Sequence, residues 1–381
     1  MSSAGPREPY ARPVRWIGRK AVILIALTFV GSMAIIVGDV GLRSGPTRPS
    51  PDSVVDAGAP GALVLVDDGS SRREEASGLA VLQDRVSLHA RDRFRVGSIT
   101  KTFVAVVVLQ LVGEHRLKLD DTVERWLPGL VPDGGRITVR QLLGHTSGLA
   151  DYPDDPDFLR RTLAQPRRHW TPRELVGVGF ALGPVARPGE RFAYASTNYV
   201  LLGMVVERAT RISLERQLRR RIFAPLGLHD TSFAPGLRIQ GRYAHGYAPS
   251  VYDGIVGSLA TARDRSTVST WWIWAAGSIV STAPDLSRFL GAVVKGRLLP
   301  PRLLELMRPA PGARYGLGLA AFRTPCGRAI GHTGALLGTV SAAWSSPNGG
   351  RRVVAMSNTF PLSPSAEAAF RRLLDSSFCG G

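Results

Sequence analysis

Phe94-Arg95-Val96-Gly97-Ser98-Ile99-Thr100-Lys101 runs into Thr102-Phe103-Val104-Ala105-Val106-Val107-Val108-Leu109-Gln110-Leu111-Val112-Gly113 without a further charge. Residue preference alone would favour a strand for so many valines. The length of the run, the Gly97-Ser98 start and the Gly113 stop predict instead a helix that is apolar nearly all round and therefore buried. On a helix, Ser98 and Lys101 stand at i and i+3 on one face. A serine hydroxyl is a poor nucleophile until a base takes its proton. Lysine can be that base when burial lowers its pKa, whereas arginine is never deprotonated in a protein. Of 48 cationic residues 44 are Arg and four are Lys, so lysine is not the default cation here. The backbone amide of Ser98, at the helix start, is also placed to donate to a developing oxyanion. The competing reading, a capping serine beside a surface lysine, fits poorly with the apolar run that follows.

Two later stretches add chemistry. Pro188-Gly189-Glu190-Arg191-Phe192-Ala193-Tyr194-Ala195-Ser196-Thr197-Asn198-Tyr199 precedes the apolar Val200-Leu201-Leu202-Gly203. A tyrosine beside a lysine ammonium can have its pKa lowered and shuttle a proton. Gly331-His332-Thr333-Gly334-Ala335 precedes Thr339-Val340-Ser341-Ala342-Ala343-Trp344, which alternates small and large like a strand. Each of these motifs is common alone; the three in this order are not.

Together they resemble the serine penicillin-recognising hydrolases: D-alanyl-D-alanine carboxypeptidases, class C β-lactamases and related esterases. The class A enzymes carry a cousin set of three motifs. Leu142-Leu143-Gly144-His145-Thr146-Ser147-Gly148-Leu149, Val280-Ser281-Thr282-Ala283-Pro284-Asp285-Leu286 and Tyr315-Gly316-Leu317-Gly318-Leu319 also look like family segments, so the resemblance covers about residues 61–378. It implies Ser98 as the acylated nucleophile and Lys101 as its neutralising partner or base. Tyr194 would carry the proton to the leaving group, and His332 would take the third-motif position. The amides of Ser98 and Ala335 would form the oxyanion hole, with the strand through Thr333 and Gly334 aligning substrate. Histidine at position 332 suits the carboxypeptidase and esterase branches better than class C β-lactamases, which typically carry lysine there. Arg323 is a candidate for a substrate's terminal carboxylate. The family's second motif usually ends in Asn, where this chain has Ser196. An amide can donate to substrate while accepting from lysine, and a hydroxyl does less.

The implied architecture is α/β (α+β): an antiparallel sheet from both ends of the body, about 61–95 and 265–381, flanked by helices, with a mostly helical unit at about 96–264. Alternating segments at 62–66, 78–82, 339–344 and 352–357 support strands directly. The expected activity is a D-alanyl-D-alanine carboxypeptidase acting on peptidoglycan stem peptides through a Ser acyl-enzyme. The rivals are a β-lactamase or esterase of the same fold, for which β-lactams would be substrates, and a non-catalytic cell-wall-binding or sensing domain.

Composition bounds the rest. With 381 residues, 44% hydrophobic and 20% charged, the chain can bury a sizeable core and is not disordered throughout. The net charge of +18 lies in scattered Arg, with Arg219-Arg220-Arg221 its densest run and no aromatic-interleaved basic motif. Nucleic acid is therefore not an expected partner. Seven histidines show no metal-ligand spacing, and Gly316-Leu317-Gly318 lacks the third glycine of a nucleotide loop, so neither metal nor cofactor is expected. Trp271, Trp272 and Trp274 read as core, with Trp274 a candidate for lining the pocket.

Residues 1–20 are basic, and 21–38 run uncharged. As a helix that run spans about 27 Å, near the ~30 Å of a hydrocarbon core. An anchor is expected, with a signal cleaved near Ser32-Met33-Ala34 as the alternative. The positive flank precedes it, which predicts a cell-membrane protein with its catalytic domain outside, or a secreted one if the segment is cleaved. Residues 39–60 read as a linker and 61–381 as the hydrolase domain. In an oxidising compartment Cys326 and Cys379 can pair; the alternative is two unrelated small hydrophobes.

Overall fold

Gly61–Asp67 (β1), Thr339–Ser345 (β11) and Arg352–Ser357 (β12) are rich in Val, Ala and Leu and almost wholly buried along their length. That pattern requires cover on both faces of a sheet. The computed structural model describes residues 49–248 and 262–380, all within one unit spanning Ser44–Gly381. Its main sheet has seven strands in the order β3-β2-β1-β12-β11-β10-β9, adding Arg72–Val81 (β2), Val86–Ser87 (β3), Ala320–Thr324 (β9) and Gly327–Leu336 (β10). Neighbouring strands pair antiparallel, and β1 against β12 joins the two ends of the body. The fold is therefore the expected mixed α/β architecture with a large antiparallel sheet flanked by helices. All four alternating segments lie in strands or overlap them.

Ile99–Gly113 is a helix despite its valines, and Phe103 to Leu109 are all fully buried. Burial on every side outweighs strand preference there. Phe103 stacks on Phe289 of the helix Ala283–Val294, with ring centroids 3.5 Å apart. Two smaller sheets lie within the rest: Phe94–Arg95 (β4) and Ser232–Phe233 (β5) flank Ile279–Ser281 (β8), and Tyr247–Ala248 (β6) pairs with Arg263–Asp264 (β7). The helical stretch 96–264 is thus interrupted by short strands.

The linker expected at 39–60 ends early. Asp52–Asp56 forms a short helix whose Val54 is fully buried, packed beside the C-terminal helix Pro364–Cys379. The Ser363 and Ser365 hydroxyls donate to the Ala57 carbonyl. The apolar Val54-Val55 pair overrides the Pro/Ser/Asp composition around it. The basic segment 1–20, the anchor 21–38 and the first part of the linker lie outside the described residues. Among those described, no helix is long and apolar enough to cross a membrane.

Cys326, in the turn between β9 and β10, is disulfide-bonded to Cys379 at the end of the C-terminal helix, with Cα atoms 5.5 Å apart. The bridge spans 53 residues, for which chain entropy gives about 4 kcal/mol of stabilisation. Reduction is expected to lower the denaturant midpoint accordingly, while an unfolding curve unchanged by reductant would contradict it.

Candidate active site

The chain enters the site along β4, which pairs Arg95 with Val280, and the Val96 amide then donates to the Ile279 carbonyl at 3.0 Å. Gly97 has φ +54°, the left-handed turn that takes the backbone from strand to helix. Ser98 follows at the helix start, and its hydroxyl makes no capping bond. Lys101 Nζ lies 3.0 Å from Ser98 Oγ, 3.0 Å from the Ala276 carbonyl and 3.4 Å from Ser196 Oγ. Lys101 is completely buried. Burial pushes its ammonium well below the ordinary lysine range, and the Asp151 charge partly opposes this. Neither half of the capping-serine, surface-lysine reading survives.

Tyr194 comes from the segment leading into the helix Ser196–Thr210. Its hydroxyl is hydrogen-bonded to Ser98, and Lys101 Nζ sits 4.9 Å from its ring centroid. The expectation of a lowered tyrosine pKa is corrected: burial pushes it up, the Ser98 hydrogen bond only partly opposes that, and the Asp151 charge adds to it. Lys101 faces the ring rather than anchoring a phenolate, and burial has already disfavoured its own charge. Tyr194 is a neutral phenol here.

His145 lies beneath that ring, stacked 4.3 Å from it and fully buried. Its Nδ1 accepts from the Ala195 amide at 3.1 Å and contacts Asn198 Nδ2 at 3.2 Å, while its carbonyl accepts from the Ala193 amide. The histidine thus braces the backbone on both sides of Tyr194. Burial holds its pKa well below the ordinary value.

Strand β10 closes the other side. A Cβ on Gly334 would meet the Val96 carbonyl oxygen at 1.9 Å, and one on Gly97 would meet Ala335 backbone atoms at 2.8–2.9 Å. Only glycine at both positions lets the strand touch the Ser98 turn backbone to backbone. The Ser341 hydroxyl donates to the Val96 carbonyl from the next strand. β9 pairs with β10 only as far as Gly331, so among the described residues the edge through Thr333 and Ala335 has no neighbouring strand. The two-residue turn Leu337-Gly338 makes Leu336 and Thr339 the closing pair, so the amides of Thr333 and Ala335 point to that open edge. Gly334→Ala is expected to force strand and turn apart, costing about 1–3 kcal/mol of stability together with most acylation. Thermal melting and acylation rate check this, and a variant that retains both would contradict the packing argument.

His332 is buried, but its partners are Tyr315 and its own strand. Nδ1 donates to the Thr333 carbonyl, so Nε2 is the acceptor for the Tyr315 hydroxyl at 3.0 Å. Burial pushes its pKa down to about 4, the Thr333 carbonyl opposing and the Lys101 charge assisting. His332 is thus neutral and joined to the site through Tyr315.

Two expected residues stand elsewhere. Arg323 is exposed on β9 and pairs with Arg328. Arg328 precedes Thr333 by five residues, about 17 Å along the strand, so Arg323 is not at the site. Trp274 is buried, with Gly203 of the helix Ser196–Thr210 accommodating its ring. It is core beneath the site rather than pocket wall, and its short 3-10 turn presents the Ala276 carbonyl to Lys101. Residues to which the sequence assigned no role matter more. Asp151 accepts from the Ser196 amide at 2.6 Å, and Tyr315 contacts His332. Asp151 lies two residues beyond the segment 142–149 and opens an acidic run with Asp154, Asp155 and Asp157, so nothing local singles it out.

The Beta-lactamase family matches residues 48–377 of the chain. Among curated proteins, it is similar to penicillin-binding protein 4 of Amycolatopsis lactamdurans, 31% identical over 60% of this chain and 58% of that one. It also resembles penicillin-binding protein 4* of Bacillus subtilis, 26% identical over 72% of this chain and 62% of that one. The matched part thus spans about three fifths of these relatives' length. Among solved structures, a D-stereospecific amidohydrolase from Streptomyces sp. superposes with TM-score 0.78 at 35% identity, covering 88% of this chain and 98% of that one. D-amino acid amidase from Ochrobactrum anthropi SV3 superposes with TM-score 0.74 at 28% identity, covering 86% of this chain and 96% of that one. With motifs, sheet and family match in agreement, the chain belongs to the beta-lactamase family of serine hydrolases.

Proposed function

We propose that the protein is an amidohydrolase that acts on the carbonyl of a D-configured residue through a Ser98 acyl-enzyme. The carrying observation is the fully buried Lys101 amine 3.0 Å from Ser98 Oγ. Lys101, as free amine, takes the Ser98 proton while Oγ attacks the substrate carbonyl. The Ser98 and Ala335 amides stabilise the oxyanion, and substrate lies along the open edge of β10. Neutral Tyr194 donates its proton to the departing nitrogen, and the proton that the Lys101 ammonium took from Ser98 restores the Tyr194 phenol. Water then attacks the ester, releasing the acid and regenerating the serine.

The D-configuration is supported by the similarity to the Streptomyces amidohydrolase and the Ochrobactrum amidase, and to a D-aminopeptidase of Brucella ovis at 27% identity. A D-alanyl-D-alanine carboxypeptidase is the narrower form of this reading, and it needs a cation for the terminal carboxylate. Arg323, the candidate for that role, stands too far along the strand, so a leaving group without a carboxylate fits better. The basic N-terminal segment, the uncharged run after it and the Cys326–Cys379 bridge support action outside the cytoplasm, where peptides with D-residues occur in peptidoglycan.

The test compares three substrates: D-amino acid amides, their L-enantiomers, and an acylated peptide ending in D-Ala-D-Ala. Ammonia release from the D-amides alone is the expected result. Preferred release of D-alanine from the peptide would restore the carboxypeptidase. Hydrolysis of L- and D-amides at equal rates, or of none of the three, would overturn the proposal.

A further inference from the structure

Ser196 sits between the two ionisable side chains at the centre of the site. Its amide donates to Asp151 Oδ1 at 2.6 Å, its hydroxyl is also hydrogen-bonded to that carboxylate, and Lys101 Nζ reaches the hydroxyl at 3.4 Å. Asp151 is held by the backbone of the helix start, so its position is fixed independently of Lys101. This carboxylate has no part in the mechanism above.

We propose that Asp151 is a positioning residue that, through the Ser196 hydroxyl, aims the free electron pair of Lys101 at Ser98. The inference rests on the reading of Lys101 as the base. A free amine has two N–H groups and one electron pair, and Lys101 has three partners: the Ala276 carbonyl, Ser196 Oγ and Ser98 Oγ. The carbonyl can only accept. Ser196 could accept or donate, but its single proton goes to Asp151. It therefore accepts from Lys101, both N–H groups are used, and the electron pair is left for the Ser98 O–H. Without the carboxylate, the Ser196 hydroxyl would turn and donate to Lys101 in competition with Ser98. Asp151 and Ser196 thereby divide the work of the single asparagine usual at the end of the family's second motif, with Ser196 accepting from lysine and Asp151 orienting it.

The charges around the pair are few. Tyr194 and Tyr199 present rings to Lys101, and His145 and His332 feel its charge. Asp154, Tyr152 and Tyr194 lie within electrostatic reach of Asp151. Burial pushes the Asp151 carboxyl up as it pushes Lys101 down, and each charge moves the other back.

The four lysines, Lys20, Lys101, Lys118 and Lys295, allow a direct measurement on the full chain. With 13Cε-lysine labelling, the Lys101 resonance is identified by its loss in Lys101→Met and followed against pH. It is expected to titrate below the ordinary lysine range. Asp151→Asn keeps shape and an acceptor for the Ser196 amide but removes the charge. It should move the Lys101 midpoint further down, changing its protonation constant by about threefold or more. The same variant should lower kcat for a D-amide by about tenfold or more with KM unchanged. An unchanged Lys101 curve in Asp151→Asn overturns the role of Asp151 and leaves the serine mechanism standing. A wild-type Lys101 that titrates in the ordinary lysine range overturns the base itself, and the inference with it. Should Asp151→Asn fail to fold, the wild-type curve decides: coupled groups titrate in two steps, and a single step overturns the proposal.

Discussion

Ser98→Ala is expected to form no covalent adduct with benzylpenicillin, whereas the wild-type protein gains the mass of the drug. The same substitution should lower D-amide hydrolysis by about 10⁴-fold or more, as loss of the nucleophile does in other serine hydrolases. The substitution removes one half-buried oxygen and no capping bond, so the melting temperature should stay near that of the wild type. Intact-mass spectra over time check the adduct. A wild-type adduct that persists would fit slow deacylation, and turnover of the drug without a lasting adduct would fit a β-lactamase. Activity that survives Ser98→Ala would end the acyl-enzyme reading.

Lys101→Met comes second. Methionine fills a similar volume without burying a charge, so folding is retained while the base is lost. Acylation should fall by about 10²–10⁴-fold. Lys101→Arg should be at least as inactive, because arginine keeps the charge and cannot accept a proton. The pH dependence has a definite sign. Since burial lowers the Lys101 pKa, the acylation rate should rise with pH through that lowered value and stay high above it, long before an ordinary lysine loses its proton. His332, pushed down to about 4, stays neutral across that window. An acid limb near the ordinary lysine range, or acylation undiminished in Lys101→Met, would remove Lys101 as the base.

The mechanism depends on a lysine made basic by its surroundings, and that property was partly visible before folding. Ser98 and Lys101 lie one helical turn apart, and the apolar residues after them announce a buried helix. Periodicity of that kind comes from backbone geometry, which acts over a few residues whatever the rest of the chain does. The strands at 62–66, 339–344 and 352–357 were legible for the same reason. So was the order of the three motifs, which carried the family.

Properties that depend on distant partners were not legible. Asp151 and Ser196 are 45 positions apart, and no local pattern pairs them. The sequence suggested a lowered Tyr194 pKa because lysine and tyrosine were expected to be neighbours; the fold made them neighbours and then buried both, and desolvation outweighed the attraction. Arg323 has suitable chemistry but sits on the wrong stretch of an edge strand, and Trp274 faces inward because Gly203 leaves room for its ring. The amino-acid order by itself determined which groups could do chemistry and where helices and strands would form. Only the tertiary structure decided which of those groups meet, which lose their water, and therefore which protonation state each one holds.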